Sequence, residues 1–156
     1  MPEFSTWEDL VDAAEQAASD ILMTDVAPVA EDILRKHIET DIYGAYTPID
    51  GGWFAGRKYE SAYERRHVLE NNIRSELENP TTLMTTSYAT ANQSLVPGYH
   101  FVNRYPGAFL QLLESGHMGI WSRGFARPAV SNAQREIDHS TSIKQAIKSG
   151  IKRVIG

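Results

Sequence analysis

Cysteine is missing from this sequence altogether, so neither a disulfide framework nor a thiolate zinc site can hold the fold together, and packing or oligomerisation must. That composition suits a reducing cytoplasm. No run of eighteen or more apolar residues occurs, which excludes a membrane-spanning helix. Lys and Arg are absent from the first thirty residues, where seven Asp and Glu stand. A secretory signal needs a basic start, so a soluble, unprocessed protein is expected. Histidine pairs are lacking as well: His37, His67, His100, His117 and His139 are far apart, without the three-to-five-residue spacing of metal ligands. Gly51-Gly52 lacks the Lys-Ser/Thr that a phosphate-cradling loop requires. Ser115-Gly116-His117 beside Glu114 holds the residue types of a hydrolytic triad, but sequence neighbours rarely face one another, and no nucleophile-elbow pattern surrounds the serine. The expectation is a protein that is not an enzyme, with no catalytic residues, no cofactor and no metal.

What is present fits one domain: 156 residues, 42% of them hydrophobic, are enough for a core and too few for two. The net charge of −5 hides an asymmetry. Residues 1–42 hold eleven Asp and Glu against Arg35 and Lys36, a net −9. Residues 123–156 hold seven Arg and Lys against Glu136 and Asp138, a net +5. A general nucleic-acid binder needs a dominant basic face, which this balance does not offer. It permits the acidic end of one subunit to meet the basic end of another; two solvated helical faces are the alternative.

Ser5-Thr6-Trp7-Glu8 has the form of a capping box, with Ser5 as the cap, and starts a helix. Trp7, Leu10, Val11, Ala14, Ala17, Ala18, Ile21 and Leu22 recur at helical steps, with Asp9, Asp12, Glu15 and Asp20 opposite. Pro28 is tolerable in a first turn, and Val26, Val29, Ala30, Ile33, Leu34 and Ile38 carry the pattern to about Ile42, as a second or kinked helix. Residues 43–66 read as an aromatic and glycine-rich loop. From His67 to Glu78, Leu69, Ile73 and Leu77 alternate with charged residues as in a half-buried strand. Asn79-Pro80 turns the chain, and Thr81 to Thr90 returns as the second strand of a hairpin. Tyr99 to Val102 is the candidate third strand of a region spanning 67–104. Within 105–125, Ala108 to Glu114 fits either a short helix or an edge strand, and Gly119 to Phe125 reads as loop. Residues 126–156 close the chain with helices, the first placing Pro128 at its first helical position, the last carrying a stripe of Ile143, Ile147, Ile151 and Val154 beside one of Lys144, Lys148 and Lys152.

Two groups of residues are suited to contacts with other molecules. Arg57, Lys58, Arg65 and Arg66, with Tyr59 and Tyr63 between them, could grip phosphate and stack on bases, as in a small nucleic-acid-binding accessory protein; Arg65 and Arg66 also suit carboxylates across a subunit interface. The aromatics Trp53 and Phe54 serve either docking or the chain's own core.

The order of Asp41-Ile42-Tyr43, Tyr46-Thr47-Pro48, Tyr63-Glu64-Arg65-Arg66, Phe109 to Gly116 and Ala126-Arg127-Pro128-Ala129 resembles the tail-completion, or neck, proteins of long-tailed bacteriophages, over most of the chain. The resemblance implies an α+β fold, with a small antiparallel sheet flanked by a long N-terminal helix or helix pair and by C-terminal helices. It further implies a ring of identical subunits at the head-tail junction of the virion, six-fold in preference to twelve-fold, made in the host cytoplasm. Its partners would be portal, adaptor or head-completion proteins on one side and tail-tube or tail-terminator proteins on the other, with genomic DNA passing through the channel unread and no membrane. Trp53, Phe54, Arg65, Arg66, Trp121, Arg123, Phe125 and Arg127 are the expected protein-protein contacts, since desolvated aromatics and arginines concentrate binding energy. The segments Gly51 to Tyr59 and Asn92 to Tyr105 exceed what a minimal member needs, and would be docking loops.

Overall fold

The structure, a computed structural model, describes residues 3–44, 52–54, 57–59, 68–89, 107, 110–111, 114 and 128–156. Its architecture is α+β, as expected. One continuous helix fills the N-terminal quarter, built from α1 (Trp7–Ile21), a π segment (Leu22–Val26), α2 (Ala27–His37) and a second π segment (Ile38–Tyr43). The cap is displaced by one residue from the expected capping box. Thr6, not Ser5, is the N-cap, and Asp9 is its partner: the Asp9 N–H donates to Thr6 Oγ1 at 3.1 Å, and the Thr6 N–H donates to Asp9 Oδ2 at 3.1 Å. Ser5 adds a hydroxyl bond to the same carboxylate, whose pKa these bonds lower.

Each widened turn has a local cause. Proline has no N–H and its ring crowds the carbonyl four residues back, here that of Thr24, and the wide turn Leu22–Val26 absorbs this just before Pro28. In the second segment, the Thr40 hydroxyl donates to the Lys36 carbonyl at 3.0 Å, competing for the acceptor an α-helix would use. The helix then closes five residues back, with the Gly44 N–H on the Glu39 carbonyl at 2.7 Å. The outcome is that Ile38, Ile42 and Tyr43 are all buried.

Within 43–66, read as loop, β1 (Gly52–Phe54) and β2 (Arg57–Tyr59) form a small antiparallel hairpin. The alternation starting at His67 misplaced its first turn: Val68–Asn71 is a short helix, α3, because Tyr43 Oη accepts the Leu69 N–H and Ser87 Oγ donates to the Leu69 carbonyl. The predicted hairpin follows, as β3 (Ile73–Asn79) and β4 (Thr82–Ser87), with Ile73 opposite Ser87, Ser75 opposite Thr85 and Leu77 opposite Leu83, and a bulge between Leu77 and Asn79. Among the described residues these strands make two separate two-stranded sheets. The proposed third strand, 99–102, lies outside the described residues. In the ambiguous stretch Ala108 to Glu114 the described residues Leu110, Gln111 and Glu114 are helical. Gly107 introduces them with φ +81°, its N–H on the Ser87 carbonyl, at a place where a Cβ would stand 2.5 Å from Thr86 Oγ1.

The chain ends in α4 (Ala129–His139) and α5 (Thr141–Ile155). Pro128 is the N-cap of α4 rather than its first helical residue, and has no side-chain acceptor for the exposed N–H groups. Glu114 supplies it from outside: its carboxylate accepts the N–H of Val130 at 3.0 Å, the N–H of Ser131 at 3.1 Å and the Ser131 hydroxyl. Ser140 caps α5 through the Ile143 N–H. The long helix is central, with β3 and β4 packed on α2 and the first π segment, α4 on α2 and the second, and α5 on the first. The core gathers Ile33, Leu34, Ile38, Ile42, Leu110 and Ala129.

Candidate interaction surface

Periodicity gives the N-terminal helix one apolar face along its whole length, but the core covers only part of it. No residue of α1 is fully buried. Trp7 is 73% exposed, and Phe4 and Leu10 also face solvent. The last helix repeats the pattern: Ile143 is buried, whereas Ile147, Ile151, Val154 and Ile155 are exposed, Ile151 by 42%. An apolar stripe is therefore bare at both ends of the chain.

These two ends are close in space. Gly150 is buried where α5 crosses the long helix, and a Cβ there would meet Ile21 Cγ2 at 2.6 Å and Asp25 Oδ2 at 2.8 Å. Arg153 donates to Asp25 at 2.7 Å and pairs with Asp20 at 2.6 Å. The hydrogen bonds it donates to Asp25 and then to Asp20 push its pKa higher still, so the pair stays charged. Val154 shares an open groove with Asp12, Ala13, Gln16, Ala17 and Asp20. The last helix thus runs back along α1.

Charge flanks both bare stripes. Glu8 and Glu15 edge the α1 stripe, and Lys144, Lys148 and Lys152 stand three residues before Ile147, Ile151 and Ile155, on the neighbouring row of the helix. All five are exposed, and among the described residues none makes an ion pair or hydrogen bond. Arg153 alone of the basic stripe's helix is committed within the chain.

The other concentration of titratable groups is a clamp between the long helix and α4. His37 Nδ1 lies 2.8 Å from Asp41 Oδ2 and its Nε2 lies 2.6 Å from Glu136 Oε2. Lys36 Nζ donates to both Glu136 oxygens at 3.0 and 3.1 Å, and Asn132 Nδ2 donates to Asp41 at 3.0 Å. His37 and Asp41 are four residues apart on one helix, Asn132 and Glu136 four apart on the other, so two rows interlock. Burial raises the Asp41 pKa, but hydrogen bonds from Asn132 and His37 outweigh it and leave the group below its ordinary value. Glu136 is lowered by Lys36 first and His37 second. Both ring nitrogens face carboxylates, and the set ties the long helix to α4. Of the residues in Glu114-Ser115-Gly116-His117, Glu114 serves as the cap of α4, and the other three lie outside the described residues.

Of the contacts expected from the sequence, Trp53 and Phe54 lie on β1, opposite Lys58 and Arg57. Arg65, Arg66, Trp121, Arg123, Phe125 and Arg127 lie outside the described residues. Phe4, Trp7, Leu10, Ile147, Ile151 and Ile155 were not expected as contacts. The only available signal was the row of lysines beside the row of isoleucines. No helix among the described residues is long and apolar enough to cross a membrane.

Neither a curated protein nor a solved structure matches the chain. A family model, YomN, matches residues 6–153, from the N-cap of α1 to the arginine that ties α5 to the long helix.

Proposed function

The chain belongs to the YomN family, which is phage-derived, and from that membership we propose that it is a structural subunit of the phage neck, a ring-forming, non-catalytic connector that completes the tail, joins it to the filled capsid and surrounds the DNA channel. The observation that carries this reading is the pair of bare apolar stripes on α1 and α5, each edged by charge of one sign. A solitary protein has little reason to leave such faces open, and an assembly subunit has. Two segments that suggested the neck proteins also meet: Glu114, from the 109–116 segment, caps the helix that Pro128-Ala129 opens. Asp41, Ile42 and Tyr43 serve as clamp partner, core residue and anchor of α3 respectively.

The test is removal of the gene from its phage, followed by electron microscopy of the lysate. Filled heads and separate finished tails are expected, and purified protein should restore joined particles. Normal tailed virions without the protein would overturn the neck role. Strongly salt-dependent DNA binding by the purified protein would favour the nucleic-acid accessory reading built on Arg57, Lys58, Arg65 and Arg66.

A further inference from the structure

Resting on the ring reading, we propose that the subunits join head to tail, the acidic, apolar N-terminal half of α1 of one copy docking on the basic, apolar outer row of α5 of the next.

The occupant follows from charge. On α1, the strip that carries Trp7 and Leu10 is edged by Glu8 and Glu15; on α5, Ile147 and Ile151 stand beside Lys144 and Lys148. Each surface is an apolar strip with a charged edge, and the edges have opposite sign. An apolar centre excludes water while complementary edges set register and reject mismatched partners. The same surfaces repel themselves: two α1 faces or two α5 faces would bring like charges together. A two-fold pairing, in which a patch meets its own copy, is therefore disfavoured. Two unlike patches on one chain give a heterologous contact, which closes into a ring when the rotation allows.

Attraction within the chain does not exhaust these charges. Where α5 crosses the long helix, the pairing is made by Arg153 with Asp20 and Asp25, and Gly150 sets the close approach. The lysines stand on a different row of α5 from Arg153 and Gly150, and remain exposed with no described partner. The fold thus spends one cation internally and leaves three outside.

Charge reversal in the full chain tests this. One variant carries Lys144→Glu with Lys148→Glu, a second carries Glu8→Lys with Glu15→Lys, and a third carries all four. Native mass spectrometry and analytical ultracentrifugation at low salt read the assembly, and melting temperature reads the fold. Each two-residue variant should associate at least about tenfold more weakly than the wild type, because like charges then face each other. An equimolar mixture of the two should assemble as alternating copies, and the four-residue variant should assemble alone. Ile151→Ser should lose the oligomer with an unchanged melting temperature, which keeps the test valid if a charge variant folds poorly. Rescue by the four-residue variant without rescue by mixing would show that these charges pair within one chain, and would overturn the proposal. Unchanged rings in all variants would overturn this interface while leaving the ring intact. Unchanged rings that no longer join tails to capsids would give the face to another virion protein and also overturn it. A wild type that stays monomeric, both alone and in the particle, would remove the ring reading itself.

Discussion

The two halves of the N-terminal helix carry the same kind of two-faced sequence, yet one half is core and the other is surface. From Val26 to Tyr43 the apolar face is buried, with Ile38 0% exposed. From Trp7 to Ala14 the same periodicity leads into solvent. Amphipathic spacing tells which face of a helix seeks cover; whether the cover belongs to the same chain depends on how far the other elements reach.

This contrast is open to direct attack. Ile38→Ala should cost about 2–5 kcal/mol, because a fully enclosed side chain leaves a cavity its neighbours cannot fill; chemical denaturation would measure it. Gly150→Val should cost about 1–3 kcal/mol by forcing α5 off Ile21 and Asp25, whereas a valine in an exposed helix would be nearly harmless; the same denaturation series decides. Glu114→Ala should cost about 0.5–2 kcal/mol by uncapping α4, with loss of amide-exchange protection at Val130 and Ser131 ahead of the rest of the helix.

Acid should find the clamp before it finds the outer stripe. Asp41 and Glu136 have pKa values lowered by folding, so their contribution is complete above the unfolded-state values and is lost as pH falls through the folded ones, below about pH 4. Between about pH 6 and pH 3 the melting temperature of the wild type should fall further than that of Glu136→Gln. The smallest effect belongs to the other half of the helix. Trp7→Ser or Leu10→Ser should move the stability of the isolated chain by no more than about 0.5 kcal/mol. A loss of several times that would mean the stripe is covered by its own chain, and the contrast would disappear.

Much of the framework was legible in the residues. The long helix, its extension past Pro28, the hairpin turning at Asn79-Pro80 and the final helix with its isoleucine stripe all rest on short-range chemistry: periodicity, a missing N–H, a turn dipeptide. The errors were of a different kind. Leu69 continued the alternation of Ile73 and Leu77, but Tyr43 and Ser87 bind its backbone and wind it into a helical turn. Gly52–Phe54 and Arg57–Tyr59 read as loop because so short a hairpin has no periodicity to display. The roles of His37, Asp41 and Glu136 were invisible since ninety-nine residues separate the two halves of the clamp.

By itself the sequence determined which faces are apolar, that no thiol chemistry is available, and that acid gathers at one end and base at the other. Those properties are local, fixed by each residue and its neighbours three or four positions away. Only the tertiary structure decided which stretch of each apolar stripe becomes core, which cation of the last helix is consumed inside the chain, and which of its lysines remain outside. Coverage is a property of elements brought together from far along the chain, and no local pattern contains their final separation.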